Sequence, residues 1–380
     1  MIDTKYTIYG SKQFEAQIDK HMKQISSTLV DKLGESNIES LVLMGGYGRG
    51  EGAVLIRNGI ECVFNDYDFF LVTKKKLNSE QKKVISEVAD HLTNEIGIDI
   101  DLFPIDKKSF TKFPLSLMSY EMKVKSHIPY GNQAILNSLP DYNVSNLSEL
   151  EGTRLLLNRG ILLIYCKNIL ENQQHICDEE VEKIIKYIFK ALLAVGDSYL
   201  LINKIYHHGM AEKKIIISEH SNSGFLYFEQ LRDMYLEAIE FKTMVDYKRY
   251  KNRILHKWLR DTIKLYECYY HWYEEQRLNK SIADWRHYRS LIISESLKTP
   301  PTELMKNILI NLKTFGPWHT MRHPVWALAY PRHRLYAMLP RLLFESDNKY
   351  SRSAFLLNKS GESDFQAVFK AYWKLWLKYS

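Results

Sequence analysis

The sequence predicts an α+β protein: a mixed α/β domain at the N-terminus followed by a mostly α-helical region. Three observations predict it. Over the first 110 residues, short apolar runs bounded by Gly, Asn and Pro alternate with stretches of helical spacing. Beyond Ser148, helical spacing recurs and Pro and Gly fall mainly between the periodic segments. The length of 380 residues suits about two domains. With 45% hydrophobic and 26% charged residues, such a chain buries a core without disulfide staples.

The elements follow in order. Phe14, Ile18, Met22, Ile25 and Leu29 recur at helical spacing over 11–33, and Gly34 ends the pattern. Residues 39–44 read as a buried strand running into Gly45-Gly46. Residues 64–72 alternate and then become fully apolar, which predicts a second strand. A helix is expected over 79–95 and a third strand over 98–104, closed by Pro104. Next comes a connector, 111–147. Ser148 and Glu151 have capping-box spacing ahead of the apolar run 153–166. Helical patterns then occupy about 178–206, 224–245, 247–277, 282–296, 301–314, 333–344 and 363–378. The expected domains are thus 1–110, a connector at 111–147, and a helical domain at 148–380.

Composition narrows the function classes. The four cysteines, Cys62, Cys166, Cys177 and Cys268, are far apart and form no C-x-x-C pair, which argues against a cysteine zinc site and suits a reducing compartment. The N-terminus shows no apolar export segment, and the run around Asn158 and Arg159 is too short and too polar for a bilayer. A cytoplasmic protein without a membrane partner is expected. Net charge is +7, divided into −3 over residues 1–110 and +10 over the rest. That split suits an acidic metal site facing a phosphate-binding surface, or simply a basic solvated exterior.

Three motifs carry the chemistry. Gly45-Gly46-Tyr47-Gly48-Arg49-Gly50-Glu51-Gly52 follows the first strand, Asn65-Asp66-Tyr67-Asp68 opens the second, and Asp99-Ile100-Asp101 lies in the third. A glycine pair after a strand lets backbone approach a ligand closely. Asp66 and Asp68, at i and i+2, share a strand face. Two carboxylates that close repel unless a proton or cation lies between them. Oxygen ligands select hard divalent cations, Mg²⁺ above all where phosphates complete the shell, with Mn²⁺ as the alternative. A third carboxylate, Asp101, would complete a site for two ions. Asp99 shares the face of Asp101 and rivals it. Asp101 is favoured because Leu102-Phe103-Pro104 continues its strand. No Gly-Lys-Ser/Thr follows the glycines, so this is not a Walker loop, and no ribose-binding acid marks a dinucleotide fingerprint.

The combination resembles the nucleotidyltransferase superfamily that includes polymerase β, the aminoglycoside nucleotidyltransferases and the MNT-type enzymes. The resemblance covers about residues 36–106 and rests on Met44-Gly45-Gly46, Asp66-Tyr67-Asp68-Phe69 and Ile100-Asp101-Leu102. It is closest to bacterial members with a GRGEG loop and an N-D-Y-D strand. Two departures stand out. Gly46 replaces the commoner Ser, and the interval from Gly46 to Asp66 is long, consistent with a hairpin at Asn58-Gly59.

The resemblance implies a Mg²⁺-dependent enzyme that transfers a nucleoside monophosphate from an NTP, ATP favoured, to an acceptor hydroxyl with release of pyrophosphate. It implies that Asp66 and Asp68 hold two Mg²⁺ ions. Asp101 would bind the ion that activates the acceptor and serve as its base. Gly45 and Gly46 would cradle the triphosphate, Arg49 would neutralise it, and Glu51 would orient Arg49 or touch the metal shell. Arg49 and Glu51 read equally as a surface ion pair. Arg159, within an apolar helix, needs a partner, either nucleotide phosphate or a structural acid. The acceptor is a sugar or other small molecule, or a protein. Modest charge and the lack of a known RNA-binding module disfavour nucleic acid. The competing reading is a non-catalytic nucleotide-binding or regulatory protein that kept the fold.

Two other stretches stand out. His319, Arg322, His323, Arg332, His333 and Arg334 gather among Trp318, Trp326 and Tyr330 in 314–335. That cluster would stack a base, grip a phosphate, or pack a helix junction. The aromatic run 257–276 reads as core and interdomain packing.

Overall fold

The computed structural model describes residues 6–173, 175–221, 224–345, 349–358 and 364–380. The chain is α+β, with its sheets in the N-terminal part and helices beyond. It forms two compact units. The first comprises 1–148, 204–220 and 236–249; the second comprises 149–203, 221–235 and 250–380. Among the described residues no helix is long and apolar enough to cross a membrane.

In the first unit, α1 (Lys12–Leu33) is capped by the Ser11 hydroxyl, which accepts from the Phe14 amide. It leads to β1 (Ile38–Leu43) and a short helix, α2 (Gly45–Arg49). β2 (Val54–Arg57) and β3 (Ile60–Val63) form the hairpin expected from Asn58-Gly59. Both turn residues have positive φ, 51° and 79°, as a tight two-residue hairpin turn requires. β4 (Tyr67–Thr73), α3 (Ser79–Ile96) and β5 (Ile100–Asp106) follow. Asn78 and Gln81 cap α3 reciprocally.

α4 (Lys107–Phe110) follows, and the segment expected as a connector carries α5 (Leu117–Val124) and β6 (His127–Gly131). The main sheet has the order β5-β4-β1-β6. β4 and β5 are parallel, and β1 is antiparallel to both β4 and β6. Period-two alternation sends side chains to both faces. Leu41, Leu43, Tyr67, Phe69 and Leu71 pack with α1 and α3. Val42, Phe70 and Val72 pack with Phe110, Met122, Ile128 and Ile135, so the 110–139 segment supplies the cover for the second face. β4 is therefore a central strand with both faces covered, which explains its unbroken apolar run.

Two later segments complete this unit. α8 (Met210–Glu219) lies in one. The other takes in Leu236–Thr243 from α9 (Phe228–Thr243) together with β7 (Met244–Val245), which pairs with β2 in parallel. Phe241 and Tyr247 pack edge-on against Phe64.

The second unit begins with α6 (Leu150–Asn172) and α7 (Asp178–Ile202). The α6 cap differs from the Ser148–Glu151 expectation. Glu149 takes the cap position without a side-chain bond, and Glu151 pairs with Arg154 instead. α10 (Leu255–Leu278) buries Tyr266, Tyr269, Tyr270 and Tyr273, the core role expected of its aromatic run. α11 (Trp285–Ser296), α12 (Pro301–Phe315), α13 (Pro317–Arg322), α14 (Pro324–Leu328), α15 (Pro331–Leu343) and α16 (Phe365–Tyr379) complete the unit. Proline opens each of α12 to α15, where its missing N–H costs nothing.

Candidate metal centre

Asp66, Asp68 and Asp101 converge. Each offers a carboxylate oxygen, and these oxygens lie within 4.8 Å of one another. Asp68 and Asp101 are register partners on the parallel strands β4 and β5. Between Asp66 and Asp68, Tyr67 points the other way. Its ring is fully buried and its hydroxyl lies 3.1 Å from His21 Nδ1. This side chain fixes the alternation that puts both carboxylates on one face. Asp66 stands just ahead of β4. The residue before it, Asn65, has φ 87°, a conformation that Asn tolerates far better than β-branched residues. Asn65 thus makes the sharp local turn that delivers Asp66, a role that sequence reasoning did not assign.

Asp99, the rival third acid, is exposed and contributes its backbone instead: its carbonyl accepts from the Tyr67 amide at 2.9 Å. Its charge nevertheless acts on Asp101. Partial burial first, then Asp66 and Asp99, raise the Asp101 pKa above its ordinary 3.8. Three crowded carboxylates with one pushed toward protonation form a site that favours cations. The all-oxygen donor set fits Mg²⁺ or Mn²⁺ and offers nothing to a thiophilic metal.

The glycines sit directly beside this centre. The Met44 amide donates to the Asp68 carbonyl at 2.8 Å, which ties the glycine element to β4. Gly45 has φ 65°, and a Cβ there would stand 3.3 Å from Asp68 Oδ2. Only glycine combines that conformation with that proximity. A Cβ on Gly46 would meet the Glu51 carbonyl at 3.2 Å. A serine at this position would crowd the 50–52 backbone. The element itself is the helical turn α2 rather than a bare bend.

No family model matches the chain, and no curated protein matches it. Among solved structures, a crystal structure of spectinomycin adenyltransferase AAD(9) from Enterococcus faecialis with ATP and spectinomycin is similar over 67% of this chain and 99% of that chain. Sequence identity is 14% and the TM-score 0.37. A likeness of that degree transfers neither fold detail nor activity to this chain.

Arg49 and Glu51 are not members of the carboxylate cluster, and they are not a surface pair. Both are buried. Arg49 Nη1 donates to Glu121 Oε2 at 2.8 Å, and its Nε lies 3.5 Å from Glu51 Oε2. The other Glu51 oxygen accepts from the Met210 amide at 2.8 Å. The Tyr206 hydroxyl donates to Glu121 and accepts from Lys213 Nζ at 3.0 Å. Burial alone would raise the Glu121 carboxyl, but Arg49, Lys213 and the Tyr206 hydroxyl outweigh it and hold it ionised. The guanidinium is held protonated in turn: burial acts against it, and Glu121, Tyr206 and Glu51 prevail.

The Arg-Gly-Glu of the glycine stretch therefore anchors α2 to α5 and to the 204–213 segment. Tyr47 anchors its other side, donating to the Ala53 carbonyl at 2.7 Å and accepting from the Phe64 amide at 2.9 Å. Sequence spacing could not have found Glu121, Tyr206 or Lys213, which are remote in the chain. Arg159 lies half-buried on α6, in the second unit, where its charge acts on the buried Tyr266 hydroxyl.

Proposed function

We propose that this protein is a Mg²⁺-dependent nucleotidyltransferase that moves a nucleoside monophosphate from an NTP to an acceptor hydroxyl. The observation that carries the reading is the convergence of Asp66, Asp68 and Asp101 beside the side-chain-free backbone of Gly45. Asp66 and Asp68 would hold the divalent ions, with Asp101 completing the set. Bound Mg²⁺ would supply charge neutralisation at the phosphates and acidify the acceptor hydroxyl.

The chain's own groups do the rest. The acceptor oxygen bonds to the α-phosphorus, the bond to the bridging oxygen breaks, and pyrophosphate leaves. Asp101 takes the hydroxyl proton as general base. Gly45 lets the triphosphate approach without a side chain in the way. Arg49 and Glu51 are assigned to holding α2 in place rather than to the phosphates. ATP is the first donor to test, and the acceptor is a small molecule or a protein.

The test is incubation of the protein with labelled NTPs and a metabolite extract, read by mass spectrometry. A gain of about 329 Da, one AMP unit, on a metabolite or on protein would name base and acceptor together. A companion thermal-shift series separates catalysis from bare nucleotide binding: the enzyme is stabilised by its NTP only with Mg²⁺, whereas a regulatory binder is stabilised without it.

A further inference from the structure

The second unit holds a cavity of about 420 Å³ where α12, α13 and the 349–357 segment meet. That volume suits a small organic ligand. Its wall carries a run of planar rings: Phe315 to His319 at 5.5 Å, His319 to His323 at 4.8 Å, and His323 stacked on Phe355 at 4.7 Å. Two further lining residues, Trp318 and Arg322, are exposed, the indole at 79%.

Behind this wall lies Arg334, with no solvent exposure. Its guanidinium donates to Asn311 Oδ1 and the Leu356 carbonyl at 3.1 Å each, to the Trp326 carbonyl at 3.3 Å, and to His319 Nε2 at 3.1 Å. Its Nε has no partner, and no carboxylate pairs with it among the described residues. Burial without an acid lowers its pKa to about 9. A buried cation that lacks a counter-charge is costly. The bond to His319 also fixes that ring's tautomer. Nε2 accepts, so the proton of the neutral imidazole is on Nδ1, and the ring can donate but not accept elsewhere. Burial first, then Arg334, His323 and Arg322, push His319 down to about 4, which keeps it neutral. The wall therefore presents cationic and donor groups with no acid among the lining residues.

We infer that this cavity binds a small organic anion, a carboxylate or phosphate borne on a planar ring, with the charge held by Arg322 and the His319 side in the field of Arg334 and the ring stacked on Trp318. A single unpaired arginine explains the need for negative charge. The exposed indole explains the need for a planar ring. The inference does not rest on the proposed nucleotidyl transfer: every residue it uses belongs to the second unit and none to the carboxylate cluster.

The test is calorimetric titration of the full chain in EDTA with phenyl phosphate, benzoate, inorganic phosphate and benzyl alcohol. At least one aromatic anion should bind saturably below about 1 mM. Benzyl alcohol should not bind, and Asp66→Asn should bind as wild type does. Phenyl phosphate against benzoate then tells phosphate from carboxylate. Arg322→Ala should weaken binding about tenfold through one lost charge-assisted contact. Trp318→Ala should erase the advantage of the aromatic anion over inorganic phosphate. Both side chains are exposed, so circular dichroism should show both variants folded. No saturable binding of either aromatic anion up to about 10 mM, or binding unchanged in both variants, overturns the inference.

Discussion

Asp68 and Asp101 stand side by side on neighbouring parallel strands, as the second register pair of a seven-pair ladder from Tyr67↔Ile100 to Thr73↔Asp106. Two like charges in directly opposed positions destabilise a sheet, and Asp66 adds a third within 4.8 Å. A fold that keeps this arrangement carries a local cost that a bound divalent cation would remove.

The cost predicts how the acids respond to substitution. Asp66→Asn and Asp68→Asn should each lower transfer by more than about a hundredfold, as loss of a metal ligand does. Without metal they should unfold at the same or a slightly higher temperature than wild type, because one repulsion is gone. Paired activity and melting measurements check both halves, and a large fall in melting temperature would show a structural role instead.

Asp101 predicts a pH signature. Its pKa is higher in the folded chain than its ordinary 3.8. In the window from 3.8 up to the raised folded value, the folded state binds more protons than the unfolded state. The contribution of Asp101 to stability therefore declines as pH rises through that window. Asp101→Asn should remove this decline, and urea midpoints of the two proteins across the window would show it. Added Mg²⁺ should bind more tightly as pH rises, since binding needs the deprotonated carboxylates.

The buried network around Arg49 predicts large, non-additive effects. Arg49→Met leaves Glu121 and Glu51 without their cation and should cost about 3–5 kcal/mol. Arg49→Lys should recover only part of that, because a point charge cannot serve two carboxylates as a guanidinium does. The double variant with Glu121→Gln should be at least about 1 kcal/mol more stable than the sum of the single losses implies. Chemical denaturation of the four proteins closes the cycle.

Backbone shape at the motifs gives a further test. Asn65→Val should destabilise by roughly 1–2 kcal/mol, and Asn65→Gly should be near neutral, because φ 87° suits glycine and excludes a β-branched residue. Gly46→Ser should cost about 1 kcal/mol through contact with the Glu51 carbonyl. That carbonyl belongs to a residue fixed at both ends, by its amide to Gly46 and its side chain to the Met210 amide. Equilibrium unfolding of the three variants checks these values.

Much of this was legible in the sequence, for physical reasons. α1 and α3 announce themselves because their burial follows the helical period, β1 and β4 because both faces are covered and their apolar runs are nearly continuous, and Asn58-Gly59 announces the hairpin through its need for positive φ. The shared face of Asp66 and Asp68 follows from the strand period alone. That Asp101 rather than Asp99 joins them depends on the β4–β5 register, which is a tertiary property that the sequence favours but does not fix.

Other features had no local signal. α2 forms although glycine is a poor helix former, because Arg49 and Tyr47 anchor it from outside. The segment 111–147 lacks long periodic runs, yet Met122, Ile128 and Ile135 close a face of the sheet. Residues 204–220 and 236–249 join the first unit from far along the chain, and no periodicity encodes which unit a segment joins. One counter-charge of Arg49, Glu121, comes from the 111–147 segment and is itself bonded by Tyr206 from the 204–220 segment, so the pair with Glu51 is buried where the motif alone also read as a surface pair.

Metal binding itself is the most direct test. Titrate the full chain with Mn²⁺, reading free ion by electron paramagnetic resonance, for wild type and for Asp66→Asn, Asp68→Asn and Asp101→Asn. Wild type should bind Mn²⁺ saturably and release it to Mg²⁺, and each substitution should weaken binding by about tenfold or more, as loss of one charged oxygen ligand demands. Wild type that binds no Mn²⁺, or three variants that bind it as wild type does, would contradict the account.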